Sequence, residues 1–184
     1  MIFEAKALTL RDGSACILRA PREEDAAELL RYLWDTAGET PYLLRTSEEA
    51  AKMTLEAEAA FITGMRESPN RMMLLAEVDG RIAGACDIGF TGKTKMRHRA
   101  SIGIALRQAY WGKGIGTAMF REMIALARAR DGVRVLQLEF IEGNARARAL
   151  YEKMGFRVVS VLPNAFQMED GTLKNEYVMQ LCLK

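Results

Sequence analysis

Between Arg107 and Thr117 the chain sets a glycine at every second position, Gly112, Gly114 and Gly116, directly ahead of a stretch with helical spacing. This feature narrows the fold further than any other. A turn free of Cβ atoms lets backbone N–H groups face inward. The helix behind it adds a partial positive charge at its N-terminus, so the turn suits a phosphate or pyrophosphate. Lys113 adds a cation at the rim. On the residues alone, a tight packing turn accounts for the same glycines. A strand at 100–106, a helix at 117–130 with Phe120, Met123, Ile124 and Ala127 inward, and an alternating strand at 133–141 make this one βαβ unit. A dinucleotide loop would need a third glycine where Thr117 or Met119 stands, although Glu139 lies at a ribose-binding distance. Gly92-Lys93-Thr94 resembles the end of a P-loop, but Asp87 occupies the position of its first glycine.

The flanking segments predict further alternation. Two strands at 5–10 and 14–19 bracket Asp12-Gly13, a hairpin signal. A helix over 22–35 carries Ala26, Leu29, Leu30, Leu33 and Trp34 as a buried stripe. A second helix begins near Thr46, where Thr46 and Glu49 match a capping box, and runs to about Ser68 before Pro69 stops it. Strands at 71–78 and 81–90 turn at Asp79-Gly80; strands at 156–162 and 176–183 close the chain. The order β-β-α-α-β-β-β-α-β-α-β-β predicts an α/β (mixed α+β) sheet with helices on its faces. At 184 residues, against ~100–200 per domain, a single domain over residues 1–184 is expected.

A second stretch, Asn144-Ala145-Arg146-Ala147-Arg148-Ala149-Leu150-Tyr151-Glu152-Lys153-Met154-Gly155-Phe156, predicts a short helix stopped by its glycine. Ala147, Leu150 and Met154 form an apolar stripe, with Asn144, Arg148 and Tyr151 on the neighbouring face. Asn144 is a natural N-cap. Tyr151 reads in isolation as a half-buried packing tyrosine.

Together the two stretches resemble the GNAT superfamily of acyltransferases, in the branch of the ribosomal-protein N-terminal acetyltransferases. The family's Gln/Arg-x-x-Gly-x-Gly/Ala signature is met by Trp111 to Gly116, with Trp111 in the place of Gln or Arg. Its later motif, Asn-x-x-Ala-x-x-Leu-Tyr-x-x-x-Gly-Phe, is met from Asn144 to Phe156. The resemblance implies a mixed, mostly antiparallel sheet of six to seven strands with helices on both faces. It implies acetyl-CoA as co-substrate, with no metal, and transfer of the acetyl group to a primary amine by direct attack. The pantetheine arm would lie along the strand at 100–106, whose backbone at Ile104, Ala105 and Leu106 would supply amide pairing and an oxyanion donor. The cofactor would rest on Trp111, Gly112, Lys113, Gly114, Ile115, Gly116 and Thr117, and on Asn144, Arg148 and Tyr151. Tyr151, protonated at neutral pH as a phenol of pKa ≈10, would donate to the departing thiolate. Asp87, Glu139 and Glu142 remain open as the general base, each able to act through water. The acceptor, a small-molecule amine or a protein N-terminal amine, would be chosen by residues 38–45 and 164–175.

Composition sets the remaining bounds. A net charge of +2 without a Lys/Arg block argues against nucleic acid as a partner, and the basic run at 93–99 reads as a solvated loop. No apolar run approaches the ~20 residues of a membrane span, and the N-terminus lacks a signal peptide's apolar stretch, so a cytoplasmic protein is expected. Cys16, Cys86 and Cys182 form no CxxC pair and read as small core hydrophobes. His98, the sole histidine, lacks partners for a Ser–His or metal site. Two other function classes share the glycine turn: a non-catalytic acyl-CoA-binding sensor or regulatory module, and a nucleotide-binding domain. Oligomeric state, monomer or homodimer, stays open.

Overall fold

A computed structural model describes residues 3–183. Eight strands form one sheet: β1 (Lys6–Thr9), β2 (Ala15–Arg19), β3 (Arg71–Val78), β4 (Arg81–Phe90), β5 (Arg99–Leu106), β6 (Val135–Ile141), β7 (Arg157–Gln167) and β8 (Leu173–Cys182). Their order is β1-β2-β3-β4-β5-β6-β8-β7, antiparallel throughout except where β5 meets β6. The sheet thus exceeds the expected six to seven strands. The β1–β2 hairpin extends one edge, and β7, at 11 residues, makes a long ribbon with β8 at the other.

The helices divide between the two faces. α1 (Ala26–Glu39), α2 (Ser47–Ala51) and α3 (Leu55–Glu67) belong to one; α4 (Ile115–Ala129) and α5 (Ala145–Lys153) to the other. The helix expected over 46–68 is two helices. Thr46 and Glu49 form the predicted capping box of α2, and Thr54 starts α3 afresh by accepting from the Ala57 N–H. A β-hydroxyl that bonds the backbone in a non-helical conformation competes with helix continuation, and Thr54 does so here with its φ, ψ in the extended region.

Two apolar clusters sandwich the central strands. Met72, Leu74 and Cys86 pack toward Met119, Phe120 and Met123 of α4, while Met73, Leu75 and Ala85 pack toward Leu29 and Tyr32 of α1 and Ile62 of α3. A strand buried on both faces reads as a continuous apolar run, and β3 shows it in Met72 to Ala76. Cys16 and Cys86 are buried as expected; Cys182, on β8 facing away from the core, is exposed. Among the described residues no helix is long and apolar enough to cross a membrane.

Two buried arginines fix α1 to the sheet. Arg19 clamps Asp25 with two bonds of 2.6 and 2.7 Å and reaches Glu77 at 2.7 Å. Arg107, at the end of β5, lies 2.8 Å from Glu28 and 2.9 Å from Asp35, both on α1. Between them the Tyr32 hydroxyl accepts from the Ala85 N–H and donates to the Ala105 carbonyl, bridging β4 to β5.

Candidate active site

β5 and β6 run parallel for only three residue pairs, Arg99–Val135, Ala100–Leu136 and Ser101–Gln137. Beyond Ser101 they part, and β6 continues paired to β8 alone. Residues 102–106 of β5 therefore present an unpaired backbone edge toward β6, and such an edge takes an added extended chain. A cleft of about 1090 Å³ opens at the divergence, with Ile102–Leu106 on one wall and Phe140 on the other.

The glycine turn closes one end of this cleft. Gly112 and Gly114 both take positive φ, +77° and +98°, a region costly for any residue with a Cβ. Gly116 has ordinary φ and serves space instead: a Cβ there would stand 3.0 Å from Leu150 and 3.2 Å from Leu106. The three glycines thus meet two separate demands, turn geometry and close approach of α4 to β5 and α5. Gly114 is the N-cap of α4, and the first helical bond runs from the Ala118 N–H to the Gly114 carbonyl. The N–H groups of Ile115, Gly116 and Thr117 are left without intrahelical acceptors beside the cleft, at the positive end of the helix. This set of donors matches an anionic diphosphate.

Several side chains differ from expectation. Trp111, in the place of the family's Gln or Arg, donates its indole N–H to the Leu106 carbonyl at 2.8 Å and so pins the turn to the end of β5. The Arg146 guanidinium lies 4.4 Å from the Trp111 ring centre and lines the cleft. Arg148 does not line it. Its guanidinium bonds Glu152 at 2.8 Å, so of the two arginines it is Arg146, not the expected Arg148, that lines the cleft. Lys113 is engaged by Asp12 at 2.9 Å rather than standing free at the rim. The Ser14 hydroxyl and this lysine hold the Asp12 carboxyl well below the usual range. Arg11, whose backbone N–H bonds the Lys113 carbonyl, also lines the cleft beside the turn. A hairpin about 100 residues upstream carries no local signal for that role.

Asn144 caps α5, its side chain accepting from the Ala147 N–H at 3.1 Å, and lines the cleft. Tyr151 also lines it. The ring is 6% exposed and wedged among Phe120, Phe140 and Phe156, while the hydroxyl has no hydrogen bond within the described residues. Burial, with a smaller contribution from Cys86, pushes its phenol upward, so it stays protonated through neutral pH.

The three acid candidates separate. Glu139, on β6, is exposed and lines the cleft. Asp87, on β4 opposite Met73, lines it as well, and burial pushes its carboxyl up against the opposing effect of Arg71. Glu142 does not line it; its carboxylate accepts from the Asn175 N–H at 3.2 Å and ties the end of β6 to β8. The expected basic loop at 93–99 holds a short 3-10 turn, and the His98 backbone carbonyl accepts from the N–H groups of Arg134 and Val135.

Known proteins share this fold and family. Residues 26–156 match the acetyltransferase (GNAT) family. A Bacillus subtilis (strain 168) protein, provisionally assigned as a [ribosomal protein bS18]-alanine N-acetyltransferase, is 30% identical over 107 residues, 58% of this chain and 68% of that one. An acetyltransferase of the GNAT family from Streptococcus pneumoniae superposes with a TM-score of 0.84 at 28% identity, over 92% of this chain and 99% of its own. The Salmonella typhimurium protein yncA, solved with its cofactor acetyl-CoA, shares the fold at 20% identity and a TM-score of 0.77, over 92% and 94% of the two chains. With the match spanning well over half the sequence, and the parted strands and glycine-capped helix in place, the chain belongs to the acetyltransferase (GNAT) family.

Proposed function

We propose that residues 1–184 act as one acyl-CoA N-acyltransferase domain that moves an acetyl group from acetyl-CoA to a primary amine, either a protein N-terminus or a small molecule. The observation that carries this reading is the open edge of β5, which leads straight to the unpaired N–H groups at the start of α4. Acetyl-CoA supplies an acyl thioester. The amine nitrogen bonds the thioester carbon as the carbon–sulfur bond breaks, and the nitrogen sheds one proton.

The chain's own residues have three tasks. Backbone N–H groups near Ile104, Ala105 and Leu106 face the developing oxyanion. Tyr151, kept neutral by burial, donates to the thiolate. Glu139, exposed at the cleft, takes the amine proton through water, with Asp87 as the competing base. Glu142 is set aside because of its bond to Asn175. The similarity to a bS18-alanine acetyltransferase supports a protein N-terminus among the acceptors, and such a target is met in the cytoplasm.

Thiol release from acetyl-CoA across a panel of peptides with free N-termini, amino acids and alkylamines tests the reading. Turnover with at least one amine, and thermal stabilisation by CoA but not by ATP or NAD, is expected. CoA stabilisation without turnover on any class would replace the enzyme with an acyl-CoA sensor.

A further inference from the structure

The far half of the cleft is enclosed by α1, the segment leading into α2, and α3. Tyr42, Phe61 and Met73 give its walls an apolar surface, with Leu44 75% exposed above them and Thr36, Thr40 and Arg45 also on the lining. Into this apolar space α3 introduces one carboxyl group, Glu58, which is 2% exposed. Its carboxyl makes no hydrogen bond or ion pair with any described residue, yet it lines the cleft.

The other buried charges show how unusual this is. Asp25 is clamped by Arg19, and Arg107 is held between Glu28 and Asp35. Buried charges are ordinarily paired in this way. Glu58 sits in the first turn of α3, where the helix end favours negative charge. Arg45, exposed at the rim and also lining the cleft, has the same tendency; burial outweighs it and pushes the carboxyl up. A cation entering the cleft would restore the ionised form.

We propose that Glu58 is an acceptor-binding residue that receives the ammonium group of a primary amine carried on an apolar chain, with Tyr42, Phe61 and Met73 packing that chain. The proposal rests on the acetyltransferase reading and adds the acceptor's chemistry to it. It makes Glu58 a specificity determinant, not a member of the donor-binding turn. Asp87 lies on the neighbouring sheet surface opposite Met73, between this pocket and the β5 edge, so an amine leaving Glu58 passes a second carboxyl as it approaches the donor side.

The test titrates n-hexylamine, with n-hexanol as the uncharged control, into wild-type protein and Glu58→Gln, each with and without saturating CoA. Glutamine keeps the shape and removes the charge, so melting temperature and CoA affinity should stay unchanged. Hexylamine should bind the wild type at least tenfold more tightly than hexanol, and Glu58→Gln should erase that preference. Glu58→Asp should keep part of it. Equal hexylamine affinity in wild type and Glu58→Gln, or no preference over hexanol in the wild type, overturns the proposal. Failure of CoA to bind would instead strike the acetyltransferase reading, since the titrations without CoA still report on Glu58.

Discussion

The proposed donor half and the proposed acceptor half of the cleft are made from different materials. The donor half is backbone: the unpaired edge of β5, the N–H groups of Ile115, Gly116 and Thr117, and two glycines held at positive φ. The acceptor half is side chain: Tyr42, Phe61, Met73 and Glu58, brought together from separate elements. A backbone surface needs only that a few positions lack a Cβ, so its sequence signature is short and local. A side-chain surface depends on which residues a helix, a strand and a loop bring together, and no local spacing encodes it. Chemistry common to a family can therefore be kept in the first half while the second is free to change its acceptor.

Tyr151 stands between the halves, and its substitution should have the largest effect. Tyr151→Phe removes a hydroxyl that has no hydrogen-bond partner among the described residues and keeps a ring packed on Phe120, Phe140 and Phe156. General-acid assistance is typically worth ~10²–10⁴-fold, so kcat should fall within that range while CoA affinity and melting temperature hold. Steady-state kinetics beside a thermal melt decide the matter. A variant that keeps more than about a third of wild-type kcat, with chemistry limiting, would make Tyr151 a packing residue and leave the donor half without its acid.

Gly114→Val should come next. A side chain at φ +98° strains the turn by ~1–2 kcal/mol and also places bulk where the diphosphate approaches. CoA affinity should drop at least tenfold, ~1.4 kcal/mol, measured by calorimetry on protein shown to be folded by circular dichroism. Hexylamine binding at the acceptor half should be untouched. If both ligands weaken together, the halves are not separately built and the contrast between them is lost.

That contrast also explains what the sequence revealed. The succession of strands along the chain, α4, α5 and the hairpins at Asp12-Gly13 and Asp79-Gly80 follow from period and turn chemistry, and each was legible. The parting of β5 from β6 after three pairs is a property of two strands separated by a helix, so local period does not encode it, and only the family resemblance implied an open backbone edge along 100–106. The division of one expected helix into α2 and α3 turned on Thr54, whose hydroxyl gives the backbone an alternative to continuing. Glu58 was invisible for a related reason. It reads as an ordinary acid in the first turn of a helix, and only the packing of α3 against α1 and the sheet buries it.

The smallest predicted effect concerns two arginines two residues apart on α5. Periodicity places Arg148 on the same face as Asn144 and Tyr151, whereas the structure sends its guanidinium outward to Glu152 and lays that of Arg146 over Trp111 at the cleft. Arg146 is exposed, so its charge acts on a bound phosphate through solvent and is screened by salt. Its contact with Trp111 is of the kind worth ~0.5–1 kcal/mol at exposed sites. Arg146→Ala should therefore weaken CoA by roughly three- to tenfold, ~0.7–1.4 kcal/mol, with the larger loss at low ionic strength. Arg148→Ala removes an exposed i,i+4 pair, of a kind that contributes little, and should leave CoA affinity within about twofold. Calorimetric titration of both variants at two salt concentrations compares them directly. The reverse ranking would mean that Arg148 releases Glu152 to reach the cofactor, and that helix periodicity located this contact better than the side-chain geometry does.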